Sequence, residues 1–198
     1  MTIKILKWVG LILLSAFVVL VIVRMFVLDA KERTAEQVAK IHATKLTLDD
    51  VMGKNLPPDP GGEADKTIQG VDANKNGIRD DVELAIFKEY PNSAKTRAVL
   101  LQYALALQME VTQSVVNEGT VGAISNTEDG AFFCITKIVP GNDKQKNMIT
   151  IKQYENFVLD RQINTDARKK ARNDFYKNLG NGSVGNSNCD IDINSLHN

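Results

Sequence analysis

At 198 residues and 21.9 kDa the chain is long enough for one domain with an apolar core and too short for several enzyme-sized units. Lysine plus arginine total 24 and aspartate plus glutamate total 24, so no net field exists to gather nucleic acid or another polyanion. The balance is uneven: residues 1–28 hold Lys4, Lys7 and Arg24 and no acid, which leaves a net charge of −3 on residues 29–198.

Trp8 to Leu28 is apolar apart from Gly10, Ser15 and Arg24. At a rise of about 1.5 Å per residue a helix over this stretch matches the roughly 30 Å hydrocarbon core of a bilayer. Arg24 lies one turn from its end, where the aliphatic stem stays in the apolar layer and the charge reaches headgroups. A cleaved signal peptide is the competing reading. Its apolar region is normally about 7 to 15 residues long and ends at a small-x-small site, which Leu28-Asp29-Ala30 matches poorly. Residues 1–28 are therefore expected to be an uncleaved transmembrane anchor. Lys4 and Lys7 precede the span, whereas Arg24, Lys31 and Arg33 are diluted by Asp29, Glu32 and Glu36, so the positive-inside bias puts the amino terminus in the cytoplasm and residues 29–198 outside it. A pilin stem would carry a glutamate near its start; no acid precedes Asp29, so pilus assembly is not inferred.

Beyond the anchor, Ala35, Val38, Ile41 and Leu48 share roughly one face, which predicts a juxtamembrane helix within residues 29–53. Gly53 is its expected stop. Pro57, Pro58, Pro60, Gly61 and Gly62 then predict a linker over residues 54–69, followed by a helical domain over 70–198.

The most informative stretch is Asp72-Ala73-Asn74-Lys75-Asn76-Gly77-Ile78-Arg79-Asp80-Asp81-Val82-Glu83. Asp72, Asn74 and Asn76 alternate, Gly77 allows a sharp bend, and Glu83 can supply two oxygens from the start of a helix. A hard cation takes six to eight oxygens, so such alternation lets side chains converge from a tight loop. The twelve residues resemble an EF-hand calcium loop, single calcium loops of bacterial extracellular proteins, and the loops of thrombospondin type 3 repeats. The resemblance implies Ca2+ held by Asp72, Asn74, Asn76, the Ile78 carbonyl, Asp80 through water, and Glu83. It covers the loop alone: no second copy and no full helix before it are present, which implies structural calcium rather than a paired switch. An Asx-rich turn capping the following helix is the plainer reading.

Downstream the pattern is helical, and an all-α domain is expected. Ser93 is a cap for a broadly apolar helix toward Val116, with Tyr103 and Met109 filling the core. Glycines 119, 122 and 130 interrupt the pattern, and Ser125 with Glu128 reads as a capping box for a short helix through Val139, with Phe132, Ile135 and Val139 inward. Asn142 or Asp143 starts another helix with Met148, Ile151, Tyr154 and Val158 on one face. Thr165 and Asp166 start the last, repeating Ala167, Ala171 and Phe175 and leaving Lys169, Lys170, Arg172 and Lys177 for solvent. The tail from Asn181 reads as loop, with Ile191 and Ile193 suggesting a short docked strand and Asp190, Asp192 and Asn194 a weaker ion site.

Cys134 and Cys189 either form one disulfide tying the tail to the core or remain unrelated thiols; outside the cytoplasm the bond is the expected state. They form neither a redox pair nor a zinc cluster. His42 and His197 are the only histidines, near opposite ends, and no nucleophile has an identifiable base, so no catalytic residue is assigned. The sequence thus points to a membrane-anchored, calcium-binding accessory or interaction module, an inhibitor, immunity protein or chaperone, facing the bacterial periplasm. Its expected partner is another membrane or extracytoplasmic protein, with no nucleic acid. A small calcium-stabilised hydrolytic enzyme with a site formed only in the fold is the alternative.

Overall fold

A computed structural model describes residues 2–139, 141–180 and 188–197, and among them every regular element is helical. Seven α-helices follow in order: α1 (Thr2–Ala43), α2 (Leu48–Val51), α3 (Asp80–Glu89), α4 (Ala94–Thr112), α5 (Glu118–Ile138), α6 (Lys144–Gln162) and α7 (Asp166–Tyr176). Two 3₁₀ turns, Gly61–Asp65 and Ile193–Ser195, sit in the connecting segments.

α1 runs without a break through the apolar span and the segment expected as a separate juxtamembrane helix. Its apolar part is long enough to cross a membrane and is not buried against the domain. The helix ends at Ala43, so Leu48 is not on its inner face: it opens α2 and is 50% exposed. Ile41 is the α1 residue seated in the core, with Val38 packed beside it. A Thr47–Asp50 capping box begins α2, and Gly53 ends it at φ +68° with Phe87 so close that a Cβ would lie 2.7 Å from the ring.

α4 is the axis of the domain, buried almost throughout and packed against α2, α3, α5, α6 and α7, while α1 lies along α5. Ser93 caps it as expected by accepting from the Thr96 N–H, and Tyr103 and Met109 lie in the core. Asp143, rather than Asn142, caps α6, and Thr165 caps α7.

Three expectations for this half need correction. α5 is one 21-residue helix starting at an Asn117–Thr120 capping box, so Ser125 lies mid-helix and caps nothing. Gly119 lies in its first turn, where the missing Cβ admits Thr34 of α1, whose methyl carbon a Cβ would meet at 3.0 Å. Phe132 and Met148 face outward, 38% and 50% exposed, because Ala131, Cys134 and Ile135 on α5 and Ile151 and Val158 on α6 fill the core. Arg172 is not on a solvated face: it reaches Glu110 of α4, whereas Lys170 and Lys177 pair with Asp174 in solvent.

The segment expected as a spacer is docked by Arg168 of α7, which is fully buried. Its Nε donates to the Ile68 carbonyl at 2.9 Å, Nη2 to the Ala64 and Thr67 carbonyls at 2.7 and 2.9 Å, and Nη1 to Asp65 and Asn164, both at 2.6 Å. All five guanidinium N–H groups have an acceptor. One buried carbonyl of this irregular segment, and two whose bonds are partly buried, thereby gain a donor.

The tail is fastened at three points. A Cys134–Cys189 disulfide joins it to α5 with the Cα atoms 5.6 Å apart, and Gln102 of α4 donates to the Asn188 carbonyl while accepting from the Asp190 N–H. Asp190 accepts from the Leu46 N–H and Asp192 caps the Ile193–Ser195 turn, so both carboxylates are engaged by backbone amides. Ile193 is buried, in a 3₁₀ turn rather than the suggested strand; the part of the expected loop at residues 181–187 lies outside the described residues.

Arg168→Met should destabilise the protein by about 3 kcal/mol or more, because the buried Ala64 carbonyl, the partly buried bonds to the Thr67 and Ile68 carbonyls and Asp65 lose donors together, and Arg168→Lys should rescue little of it; urea unfolding measures both. A non-reducing peptide map should contain the Cys134–Cys189 link. Replacing both cysteines by alanine should cost about 2–4 kcal/mol, the usual range for a disulfide, with chain entropy alone giving about 4 kcal/mol for a loop of 55 residues.

Candidate calcium-binding loop

The loop from Asp72 to Glu83 leaves the docked segment and enters α3. Its turns need unusual backbone: Lys75 is the only non-glycine described with positive φ, at 61°, and Gly77 follows at 85°. Asp72 stabilises the bend by accepting from the Asn76 N–H at 3.1 Å and the Gly77 N–H at 3.0 Å. The Asn74 side-chain oxygen also accepts from Asn76, and that of Asn76 from the Ile78 N–H. The alternating side chains thus fold back over the loop's own amides, as the pattern requires.

Closure comes from the hydrophobic core and from Arg79. Ile78 is fully buried, and the Asp80 N–H donates to the Val71 carbonyl at 2.9 Å. Arg79, also fully buried, turns its guanidinium away from the loop interior. It grips Asp81 through Nε and Nη2, and Nη1 donates to the Gln162 carbonyl at the α6–α7 corner at 3.0 Å.

Glu83 lies on the inner face of α3, 1% exposed, with Asn74 Nδ2 donating to its Oε2 at 3.0 Å. Burial pushes its carboxyl up to about 7, and the negative charges of Asp50 and Asp80 add to the effect. Asp80 is fully buried, and burial likewise raises its carboxyl although the Ala73 N–H donates to both of its oxygens, at 3.0 and 3.1 Å.

All six expected ligand positions fall on this one loop, but they are not equally gathered. Asp72, Asn74 and Asn76 line the turn, whereas Asp80, expected to hold a water, is drawn to Ala73, and Glu83 to Asn74. Among the described residues no three histidine, cysteine, aspartate or glutamate side chains converge as metal ligands. The donor chemistry nevertheless suits a hard cation: three carboxylates and two amide oxygens, with none of Asp72, Asp80 or Glu83 in an ion pair among the described residues. Two groups outside the motif belong to its surroundings. The Asn55 carbonyl accepts from Asn74 Nδ2 at 3.0 Å, and Asp50 adds charge near Glu83. Asp50 carries no sequence signal that links it to the loop.

Elsewhere, a polar cleft of about 640 Å³ opens between the end of α1, α5 and the tail, lined in part by His42, Lys45, Asn126, Asp190 and Asp192. Its two acids are the backbone-capping carboxylates described above.

Gly77→Ala should destabilise the protein by about 1–3 kcal/mol, because the residue holds a left-handed conformation and a Cβ would lie 2.8 Å from Leu105 in the core; thermal unfolding of the variant checks it.

No protein-family model, curated protein or solved structure matches the chain.

Proposed function

We propose that the protein is a membrane-tethered accessory module whose domain lies outside the cytoplasm, is stabilised by Ca2+ at Asp72–Glu83, and acts by binding another membrane or extracytoplasmic protein. One observation carries the reading: Asp72, Asp80 and Glu83, the last two buried, share a tight loop and none is in an ion pair among the described residues, the loop's Arg79 being turned to Asp81 and Asp65. A divalent cation is the counter-charge that such a site lacks. Asp72, Asn74, Asn76, the Ile78 carbonyl, Asp80 and Glu83 would hold it, and the ion would supply electrostatic cross-linking rather than a reaction step. The span of α1 supports tethering, and a disulfide linking tail to core supports an oxidising compartment.

The test is thermal or urea unfolding of the full chain in detergent. With extracellular-type affinity, about 10⁻⁴ to 10⁻³ M, addition of about 10 mM calcium should stabilise the fold by about 1–3 kcal/mol, magnesium should do less, and Glu83→Gln should remove the effect. Identical unfolding with calcium and with chelator would sink the calcium assignment. Pull-down of the anchored protein with and without calcium then asks whether the loop also shapes the partner surface.

A further inference from the structure

A second group of buried acids lies away from the loop, where α4, α5 and α7 meet. Glu110 of α4 is fully buried as a side chain, and Arg172 of α7 donates from Nε to its Oε2 at 2.7 Å. Glu128 of α5 faces the same arginine more distantly, at 3.5 Å from Nη2. Between the two glutamates stands the Tyr176 hydroxyl, 2.9 Å from Glu110 Oε1 and 2.6 Å from Glu128 Oε2.

A phenol has one proton and can donate it to one carboxylate only. With both glutamates ionised, the second short contact would set lone pair against lone pair. The charge balance has the same defect, since one guanidinium faces two carboxylates. Other groups nearby deepen it: Asp129 on α5 and Glu155 on α6 add negative charge, Tyr103 of α4 is neutral, and Lys152 relieves Glu155 from the outer side. A carboxyl proton resolves both defects. One glutamic acid donates to the phenol oxygen, the phenol donates to the other carboxylate, and Arg172 balances the single charge that remains.

We propose that Glu110, Tyr176 and Glu128 form a buried proton-binding site that holds one proton at neutral pH and keeps α7 joined to α4 and α5 while the proton is in place. Burial, with the charge of Glu128 next, pushes the Glu110 carboxyl up to about 8. A carboxyl raised on folding favours the folded state fully below its ordinary value near 4.5, and that contribution is lost as pH rises through about 8. The junction therefore loosens with alkalinity, and a domain outside the cytoplasm would experience external pH directly. The site is independent of the calcium loop.

The experiment is an infrared titration of the full chain in detergent, from roughly pH 5 to roughly pH 10, following the protonated-carboxyl stretch alongside urea unfolding, with Glu83→Gln as the background so that the loop carboxyl, itself raised to about 7, does not contribute. In that background the chain should retain one protonated carboxyl at about pH 7 and release it near 8, with stability falling as pH rises from about 4.5 and levelling off above about 8. Glu110→Gln and Glu128→Gln should each abolish the band and flatten the dependence, because Arg172 then balances the surviving carboxylate alone. Absence of a protonated carboxyl in that background at pH 7 overturns the proposal, and this arm decides even if a further variant fails to fold. Survival of the band in either variant also overturns it, placing the proton on Glu155 or Asp129 or attributing it to burial of one carboxyl by itself.

Discussion

The fold depends on how the backbone of the irregular stretch between α2 and α3 finds hydrogen-bond partners. Residues 54–79 contain most of the chain's prolines and several of its glycines, and only one short 3₁₀ turn. Arg168 meets part of the resulting demand from α7, and Arg79 ties the stretch to the α6–α7 corner through the Gln162 carbonyl. Both are fully buried, and both are anchored by acids that neutralise them, Asp65 for the first and Asp81 for the second. A lysine offers three donors from one nitrogen and lacks the planar fork that reaches several acceptors at once. Because Arg79 lies inside the candidate cation loop and contacts the α6–α7 corner, loop geometry and helix packing are mechanically one unit.

α4 plays the complementary role. Its buried polar side chains each hold a different part of the chain: Arg97 donates to the Val51, Tyr90 and Pro91 carbonyls, Gln102 holds the tail, Gln108 holds the Gln69 carbonyl and receives a hydrogen bond from Gln162, and Glu110 holds α7. Hydrophobic contact gives the bundle its cohesion, but it is not directional. These bonds are, and they assign each loop to one place around the axis. The proposed proton site is the one of these attachments in which acids outnumber the bases facing them.

Local signals were legible in the sequence where they act locally. Ser93, Asp143 and Thr165 cap helices because each needs only the amides two or three residues ahead, and the loop's candidate ligands fall within twelve consecutive positions. Signals that need the third dimension were not. Ser125 and Glu128 have capping-box spacing, but the Asn117–Thr120 box starts the helix earlier and Gly119 proves to be a place of close helix contact. Arg168 and Arg172 look like surface residues on a charged helix until Ala64, Ile68 and Glu110, some 60 to 100 positions away, are brought beside them. Within the site, the Ala73 amide on Asp80 and the charge of Asp50 near Glu83 escaped notice for the same reason.

The continuity of α1 has a geometric consequence for anything that meets this domain at a membrane. From Leu28 to Ala43 the helix projects about 22 Å past the apolar span, and it is locked to the domain by Ile41 in the core and by Asn117 donating to Thr34. No hinge interrupts it. Rotating the anchor therefore turns the whole domain through the same azimuth, and a tilt of about 20° carries the base of the domain sideways by about 8 Å. With its apolar part in a bilayer the stem would work as a lever arm: the lipid thickness and neighbouring helices that set its tilt would also set which face of the domain is presented, and at what height.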